Sequence, residues 1–409
     1  MNQNTGFRFI LICLKVHSCN NNSPTLVIKA PHVGVIRSVE GNEVNILARL
    51  SAHRKAMYGL LSAGLARSHR ASPAATLRLE TIFGVPVLLS GLASLVLTVK
   101  EENMVSHHYK VHLERLLKLH QATPAPVVFM LAGCLPLQAQ LHLKMFAIFG
   151  QLCRLNDGGS AGDNILAVMA RNVYSSSTTN SSKSWFWRIR QLTLQYALPH
   201  PSEWLLCKPS KSTVKSTTKS AVLQYWLAKI RDKADTLPSL QYLKTEYLGL
   251  TRCHAIFWTC GSSPWELEKA TTQARLLSGR YRVEALSGHW VPWNRDGMCS
   301  LPQCWRSACA HKGTLESLLL SCPSLSSTRD VLLQYQSEFL SNHPDLLTLV
   351  TECLVSDPVQ FWLDCSTMKE VIRFVQENDR SVLYKLFKLT SNFCHTIHCK
   401  RVMLLDQSE

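Results

Sequence analysis

The sequence predicts a mainly α-helical fold, and three observations support this prediction. From Val44 onward, apolar residues recur three and four positions apart, which is the period of an amphipathic helix. Prolines stand at the start of several such runs, where a helix tolerates them best. The 409 residues are 46% hydrophobic and 18% charged, a balance typical of a globular chain. A chain of this length allows two to four domains.

Residues 1–43 are predicted to carry the β structure of the chain. Thr25-Leu-Val-Ile28 and Val33-Gly-Val-Ile36 are rich in β-branched residues and predict two short strands. The Gly41-Asn42 pair predicts a turn, and Asn42 can cap a helix that begins at the next residue.

Four mainly helical segments are predicted after this strand region. They are a helical bundle over 44–156, a basic loop with connecting helices over 157–240, a helical segment with a cysteine knuckle over 241–330, and a C-terminal helical region over 331–409. Within the bundle, helices are expected to begin near Glu43, Pro73 and Pro86, and a fourth to span Met104 to His120.

Lysines alternate with serine and threonine between residues 208 and 219. This composition predicts a flexible basic connection, followed by a helix from Ala221 to Ala234. Such a connection could follow a nucleic-acid backbone or simply be a solvated linker.

The uncharged run from Thr81 to Val99 approaches the length of a membrane span. Gly84, Pro86 and Gly91 interrupt it, so the sequence favours a buried helix that starts after Pro86. We therefore expect no membrane partner.

The chain is strongly basic, with 44 Lys and Arg residues against 28 Asp and Glu residues and a formal charge of +16. The surplus is dense in residues 1–156, which hold 16 basic and 6 acidic residues. Such a charge favours polyanionic partners, and nucleic acid is the first of these. The fifteen cysteines are an odd number and are scattered, which favours a reducing compartment, nuclear or cytoplasmic.

Cysteines near residue 300 have the spacing of a small zinc knuckle. Cys299 and Cys304 form a close pair, and Cys322 follows at the end of an apolar helical run. Thiolates at this spacing can bind one tetrahedral ion, with Cys309 or His311 as the fourth ligand. We take His311 for the predicted site of structural zinc. The alternative is a decayed knuckle whose leucines still pack as one helix face.

The helical run Gly313-Thr-Leu-Glu-Ser-Leu-Leu-Leu-Ser-Cys322-Pro323 resembles the C-terminal knuckle of LINE-type (non-long-terminal-repeat) retrotransposon reverse transcriptases. Ser317 stands where that family has a histidine. Five further motifs resemble the thumb of these polymerases and occur in the same order. They are Ser51-Ala-His-Arg-Lys55, Gly64-Leu-Ala-Arg67, Pro73-Ala-Ala-Thr-Leu-Arg78, Val85-Pro-Val-Leu-Leu-Ser-Gly-Leu92 and Leu135-Pro-Leu-Gln-Ala139.

The resemblance implies that residues 1–43 hold the end of a palm and that residues 44–156 form a thumb-like bundle. In that family the thumb grips the primer–template duplex through its backbone. The implied partner is RNA or an RNA–DNA hybrid, with no small-molecule substrate. The alternative function is an α-helical interaction or scaffold protein whose basic charge is incidental.

Polymerases of this kind use paired aspartates to hold two divalent ions. This chain contains no Asp-Asp pair, and its first aspartate is Asp157. We therefore predict no catalytic residues, no catalytic metal and no enzymatic activity for this chain.

The predicted nucleic-acid-binding residues are cations that can contact phosphate, together with one aromatic ring that can stack on a base. They are Arg49, Arg54, Lys55, Arg67, Lys211, Lys215, Arg275, Arg280, Tyr281 and Arg282.

Two predicted helices are rich in histidine, a common metal ligand. We expect no acidic or cysteine companion to complete a metal site with His107, His108, His112 and His120, which are predicted to be ordinary, partly exposed helix residues. In Cys394-His395-x-x-His398-Cys399, the two Cys–His pairs are predicted to point about 100° apart on a helix.

Overall fold

A computed structural model of the chain describes residues 29–32, 35–38, 41–60, 71–155, 168, 184–279, 281, 301 and 314–406. Over these residues the fold is mainly α, as the sequence predicts. Several predicted site residues lie outside the described part of the chain. They are Arg67, Arg280, Arg282, Cys299, Cys304, Cys309 and His311.

The described α-helices account for most of these residues. In chain order they are α1 (Glu43–Leu60), α2 (Pro73–Leu79), α3 (Val85–Leu88), α4 (Val99–Leu116), α5 (Ala125–Ala132), α6 (Leu137–Cys153), α7 (Trp185–Gln195), α8 (Pro201–Cys207), α9 (Lys211–Asp235), α10 (Ala255–Trp258), α11 (Pro264–Leu277), α12 (Ser326–Ser341), α13 (Pro344–Ser356), α14 (Pro358–Asp364), α15 (Lys369–Glu377) and α16 (Ser381–Asp406). Two π-helical turns, Glu80–Gly84 and Ser317–Ser321, and 3-10 turns at Leu92–Ser94, Pro238–Leu240, Thr245–Tyr247, Pro323–Leu325 and Cys365–Thr367 complete the helical structure.

Two strands precede the helices: β1 (Lys29–His32) and β2 (Val35–Ser38). They pair antiparallel, with Lys29 opposite Ser38 and His32 opposite Val35. The second strand overlaps the predicted one, whereas β1 begins just after the predicted Thr25–Ile28, which lies outside the described residues. The interpretation of these two strands as the end of a palm stays a prediction.

The chain divides into two compact units, each built from separate stretches of sequence. Unit 1 comprises Met1–Arg49, Leu89–Glu102 and Gln140–Val222, and unit 2 comprises Leu50–Leu88, Asn103–Ala139 and Leu223–Glu409. The five consecutive segments expected from the sequence stay a prediction.

The core of unit 1 is an aromatic cluster on α6, α7 and α8. Phe149 is fully buried, and its ring centroid lies 5.8 Å from that of Trp204 and 6.5 Å from that of Trp185. The Trp185 indole Nε1 donates to the carbonyl of Ala93 at 2.8 Å, which satisfies its polar atom inside the cluster.

An ion pair lies beside this core. Arg188 Nη2 is 2.6 Å from Glu102 Oε1, and His142 Nε2 is 3.9 Å from the same oxygen. Burial alone would raise the pKa of Glu102, but hydrogen bonding with His142 and the positive charge of Arg188 outweigh it, so the pKa is lowered.

The core of unit 2 is centred on α11, α14 and α16. The rings of Trp362 and Phe393 stack at 3.9 Å between centroids. The buried amide of Gln273 donates to the Trp362 carbonyl at 2.9 Å and to Thr390 Oγ1 at 3.0 Å. His254 Nε2 lies 3.1 Å from Asp364 Oδ2, with both side chains almost fully buried.

The predicted flexible connection over 208–219 is wrong for most of its length, because Lys211 begins the 25-residue helix α9. The side chain of Ser210 accepts the Thr213 backbone N–H at 3.1 Å and satisfies a donor at the start of the helix. Along α9, every fourth residue from position 214 is buried. The buried residues are Val214, Thr218, Val222, Trp226, Ile230 and Ala234. This apolar seam stabilises the helix despite its many serines and threonines.

The run from Thr81 to Val99 is not one helix. It contains a π-turn, the four-residue α3 and a 3-10 turn, and Gly91 adopts a left-handed conformation with φ of 75°. Within the described residues no single helix has the length and apolarity of a membrane span. Only α5 and α6 together pass that test, and they are bent by 64°.

Gly133 ends α5 with φ of +61°, and a Cβ there would collide with the Arg252 backbone carbonyl. We expect Gly133→Ala to destabilise the chain by roughly 2–3 kcal/mol, because it combines backbone strain with a steric clash. In α1, by contrast, a Cβ at Gly59 would meet no atom within 4 Å. Gly59→Ala should therefore stabilise by about 0.5–1 kcal/mol. Urea unfolding followed by circular dichroism checks both variants, and equal midpoints would contradict the geometry.

Glu102→Gln tests the ion pair in unit 1. Because the pKa of Glu102 is lowered on folding, its contribution is present above the ordinary value of 4.5 and is lost as the pH falls below it. We expect a loss of about 1–3 kcal/mol at neutral pH that shrinks in acid. Chemical denaturation at several pH values measures the difference. A deficit that stays constant with pH would contradict this assignment.

Candidate functional site

The basic residues of α1 differ in exposure. Arg54 and Lys55 are exposed, whereas Arg49 is half-buried. The Nε of Arg54 donates to the Leu50 carbonyl at 3.3 Å, which uses one of the five N–H donors of the guanidinium. Arg54 and Lys55 could therefore contact phosphate.

The first half of α9 presents a row of lysines. Lys211, Lys215 and Lys219 are all exposed and stand four residues apart, so they follow one another along the same side of the helix. The buried seam of α9 fixes this orientation. No acidic residue occurs between Glu203 and Asp232, so the sequence places no carboxylate beside these ammonium groups along this stretch. We call Lys211, Lys215 and Lys219 the lysine row.

The predicted stacking ring, Tyr281, is buried. Its hydroxyl lies 2.9 Å from His398 Nδ1, and the Arg401 guanidinium lies 5.4 Å from its ring centroid. Its ring is therefore part of the protein interior and is not available to a base. Arg275 is exposed, but its Nη2 donates to the Lys118 carbonyl at 2.9 Å, so it also has a structural role.

The end of the predicted knuckle is well packed. Cys322 is 1% exposed, its backbone N–H donates to the Ser317 carbonyl at 2.7 Å, and its carbonyl accepts from Arg329 Nη2 at 2.6 Å. Leu318 and Leu319 are buried, so this helix face packs as expected. The other predicted ligands lie outside the described residues, and structural zinc at this position stays a prediction.

A second constellation, in unit 2, brings α1, α4 and the π-turn after α2 together around one carboxylate. Glu80 is fully buried; its Oε1 lies 2.9 Å from His53 Nε2 and its Oε2 lies 2.9 Å from His112 Nε2. His53 Nδ1 lies 3.1 Å from His108 Nε2. We call His53, Glu80 and His112 the histidine–carboxylate cluster.

The electrostatics of this cluster favour a charged carboxylate. Burial alone would raise the pKa of Glu80, but hydrogen bonds from His112 and His53 lower it to about 2. For His108, burial and the neighbouring His53 and Arg54 lower the pKa to about 4, so this imidazole is neutral near pH 7. A neutral His108 can accept or donate through Nε2, depending on its tautomer.

Sequence reasoning missed this cluster because its members are far apart in the chain. His53 lies beside the exposed Arg54 and Lys55 in α1, but its own side chain is fully buried. We also expected no acidic companion for the histidines of α4, whereas Glu80 contacts His112 directly. One available signal was the spacing of His108 and His112, four residues apart, which places both on one side of α4.

The Cys394–Cys399 segment does not form a comparable group. His395 Nε2 lies 3.4 Å from Cys399 Sγ, but Cys394 Sγ donates to the Trp362 carbonyl in the core. Among the described residues, only His53, Glu80 and His112 bring three such ligand atoms within 4.8 Å of one another.

Comparisons of the chain with protein-family models, with curated proteins and with solved structures gave no match. The resemblance of its motifs to LINE-type reverse transcriptases therefore enters the functional argument only as a proposal.

Glu80→Ala tests the structural part played by the cluster. Removing the carboxylate leaves two largely buried imidazole nitrogens without their acceptor, so we expect a loss of about 3 kcal/mol. His107, an exposed residue of α4, supplies the control, because His107→Ala should change stability by less than about 0.5 kcal/mol. Thermal and urea unfolding measure both. Equal stability of the two variants would show that the cluster contributes nothing to folding.

Proposed function

We propose that this chain binds RNA or an RNA–DNA hybrid and acts without a polymerase centre of its own. The observation that carries the proposal is the lysine row on α9, where three exposed ammonium groups lie within a stretch of sequence free of carboxylates.

The geometry of α9 suits a polyanion. Each step of four residues advances about 6 Å along a helix, so the row extends over about 12 Å. A nucleic-acid backbone offers phosphates throughout such a distance, and each ammonium group that neutralises a phosphate releases a bound counterion. The exposed hydroxyl of Ser212 on the same helix could donate to a phosphate oxygen. These contacts do not read base sequence, so weak sequence preference is expected.

The motif order over residues 51–139 supports the choice of RNA or hybrid among polyanions. It resembles the thumb of LINE-type reverse transcriptases, which holds the primer–template through its backbone. In this proposal Arg54 and Lys55 of α1 are further phosphate contacts. The absence of an Asp-Asp pair from the sequence is the reason for proposing binding without catalysis. Nuclear or cytoplasmic localisation belongs to the same proposal.

A second candidate function is protein interaction. Exposed apolar side chains on α12 and α13 favour it, with Val331 67%, Tyr335 58% and Val355 82% exposed. Apolar groups at such exposure suit a protein partner better than a nucleic acid. The experiment below separates the two, because a scaffold function would not depend on the lysine row.

Replacing the lysine row by glutamine (Lys211→Gln, Lys215→Gln and Lys219→Gln) should weaken binding of a single-stranded RNA by about tenfold or more at low salt. The slope of log affinity against log salt should become shallower by about 2, because three phosphate contacts are lost. Fluorescence anisotropy with labelled RNA over a salt series gives both values.

The matched control removes the same charge from exposed lysines of unit 2. It carries Lys369→Gln, Lys385→Gln and Lys388→Gln. We expect it to retain most of the affinity and the salt slope of the unaltered chain. Equal losses of RNA affinity in the two triple variants would mean that binding depends on the net charge of the chain and not on the lysine row. No RNA binding by the unaltered chain at low salt would exclude the proposed function.

A further inference from the structure

We propose that the histidine–carboxylate cluster of unit 2 binds one divalent transition-metal ion, with zinc as the expected ion, through His53 Nε2, His112 Nε2 and the carboxylate of Glu80. This site is separate in sequence from the cysteine knuckle and is independent of the proposed nucleic-acid binding.

The ligand atoms are already close to the required positions. Each histidine Nε2 lies 2.9 Å from one oxygen of Glu80, and all three ligand atoms lie within 4.8 Å of one another. Zinc bonds to nitrogen and oxygen are about 2.0–2.2 Å long, which places neighbouring ligand atoms of a tetrahedral site about 3.3–3.5 Å apart. The two nitrogen–oxygen distances of 2.9 Å therefore have to lengthen by roughly 0.5 Å, and any wider separation within the 4.8 Å limit has to shorten, for an ion to replace the hydrogen bonds.

The environment of His53 orients it as a ligand. Its Nδ1 lies 3.1 Å from His108 Nε2. With an ion bound, Nδ1 of His53 would donate its hydrogen to His108 Nε2, and Nε2 of His53 would bind the ion in place of its hydrogen bond to Glu80. Metal-binding histidines in proteins are regularly held in this way, with the second ring nitrogen hydrogen-bonded to a neighbouring group.

The backbone near Glu80 is shaped to fit its carboxylate. Glu80 begins a π-helical turn that ends at Gly84, and a Cβ at Gly84 would collide with the carboxylate. Pro86 contributes to this local geometry because it cannot donate the hydrogen bond to residue 82 that a regular α-helix requires. Single π-helical turns within α-helices are often found at functional sites.

The donor set selects the class of ion. Two imidazoles and one carboxylate suit zinc and neighbouring transition metals, whereas magnesium and calcium prefer oxygen ligands alone. His53 and Glu80 are fully buried, whereas the His112 side chain is 14% exposed, so solvent reaches this member of the cluster. Three protein ligands leave one tetrahedral position for water or an added ligand.

The test uses the full chain, stripped of metal with a chelator and titrated with cobalt(II) as a spectroscopic substitute for zinc. We expect one cobalt ion that is bound by the unaltered chain but not by His112→Gln. The difference between their visible spectra should show no thiolate-to-cobalt charge-transfer band, because no cysteine is a ligand of this site, whereas an ion in the predicted cysteine knuckle would contribute equally to both spectra. His112→Gln should lose this ion or bind it more than about 100-fold more weakly, because a direct ligand contributes at least as much as the outer partners of a metal site. His107→Gln, the exposed control on the same helix, should bind it normally.

Gly84→Ala gives an independent variant that keeps every ligand, and it should weaken cobalt binding by displacing the Glu80 carboxylate. Zinc competition then gives the zinc affinity of each variant, and circular dichroism confirms that each is folded. Identical cobalt spectra and stoichiometries in the unaltered chain, His112→Gln and Gly84→Ala would overturn the proposal. Cobalt bound solely with a thiolate signature would overturn it as well, because the metal would then be held by cysteines.

Discussion

The buried seam of α9 is the constraint on which the functional account depends. Val214, Thr218, Val222, Trp226, Ile230 and Ala234 recur every fourth residue and are all buried. Burial of one side of a helix determines which residues face solvent on the other sides. The lysine row owes both its exposure and its regular spacing to this seam. Serine- and threonine-rich sequence would otherwise form a poor helix, so the lysines would have no fixed arrangement.

A different constraint operates in unit 2, where one buried carboxylate accepts two imidazole groups. A buried charge is costly unless it is paired and hydrogen-bonded, and Glu80 meets both conditions through His53 and His112. The same arrangement that satisfies the carboxylate also gathers three metal-ligating atoms. The stability of the metal-free chain and its affinity for an ion therefore depend on the same residues. Gly84 is not a ligand but lies against the Glu80 carboxylate, so Gly84→Ala tests both properties.

Local sequence patterns predicted the helical class well but predicted the relations between distant residues poorly. The three-and-four spacing from Val44 to Leu60 became α1, because a long amphipathic pattern has few alternatives. The composition of 208–219 suggested a linker, and the seam that makes it helical begins with the less conspicuous Val214 and Thr218.

Contacts between distant residues could not be predicted in this way. His53, Glu80 and His112 lie 27 and 32 residues apart in sequence, so no spacing rule could bring them together. Tyr281 looked available for stacking, but tertiary contacts with His398 and Arg401 bury it.

The most direct measurement of the central claim is lysine footprinting of the full chain with and without RNA, read by mass spectrometry. Acetylation under mild conditions reports which ammonium groups the RNA covers. The account predicts that RNA protects Lys211, Lys215 and Lys219, while Lys369, Lys385 and Lys388 react at the same rate in both samples. Unchanged reactivity of the lysine row under conditions where RNA is bound would contradict it.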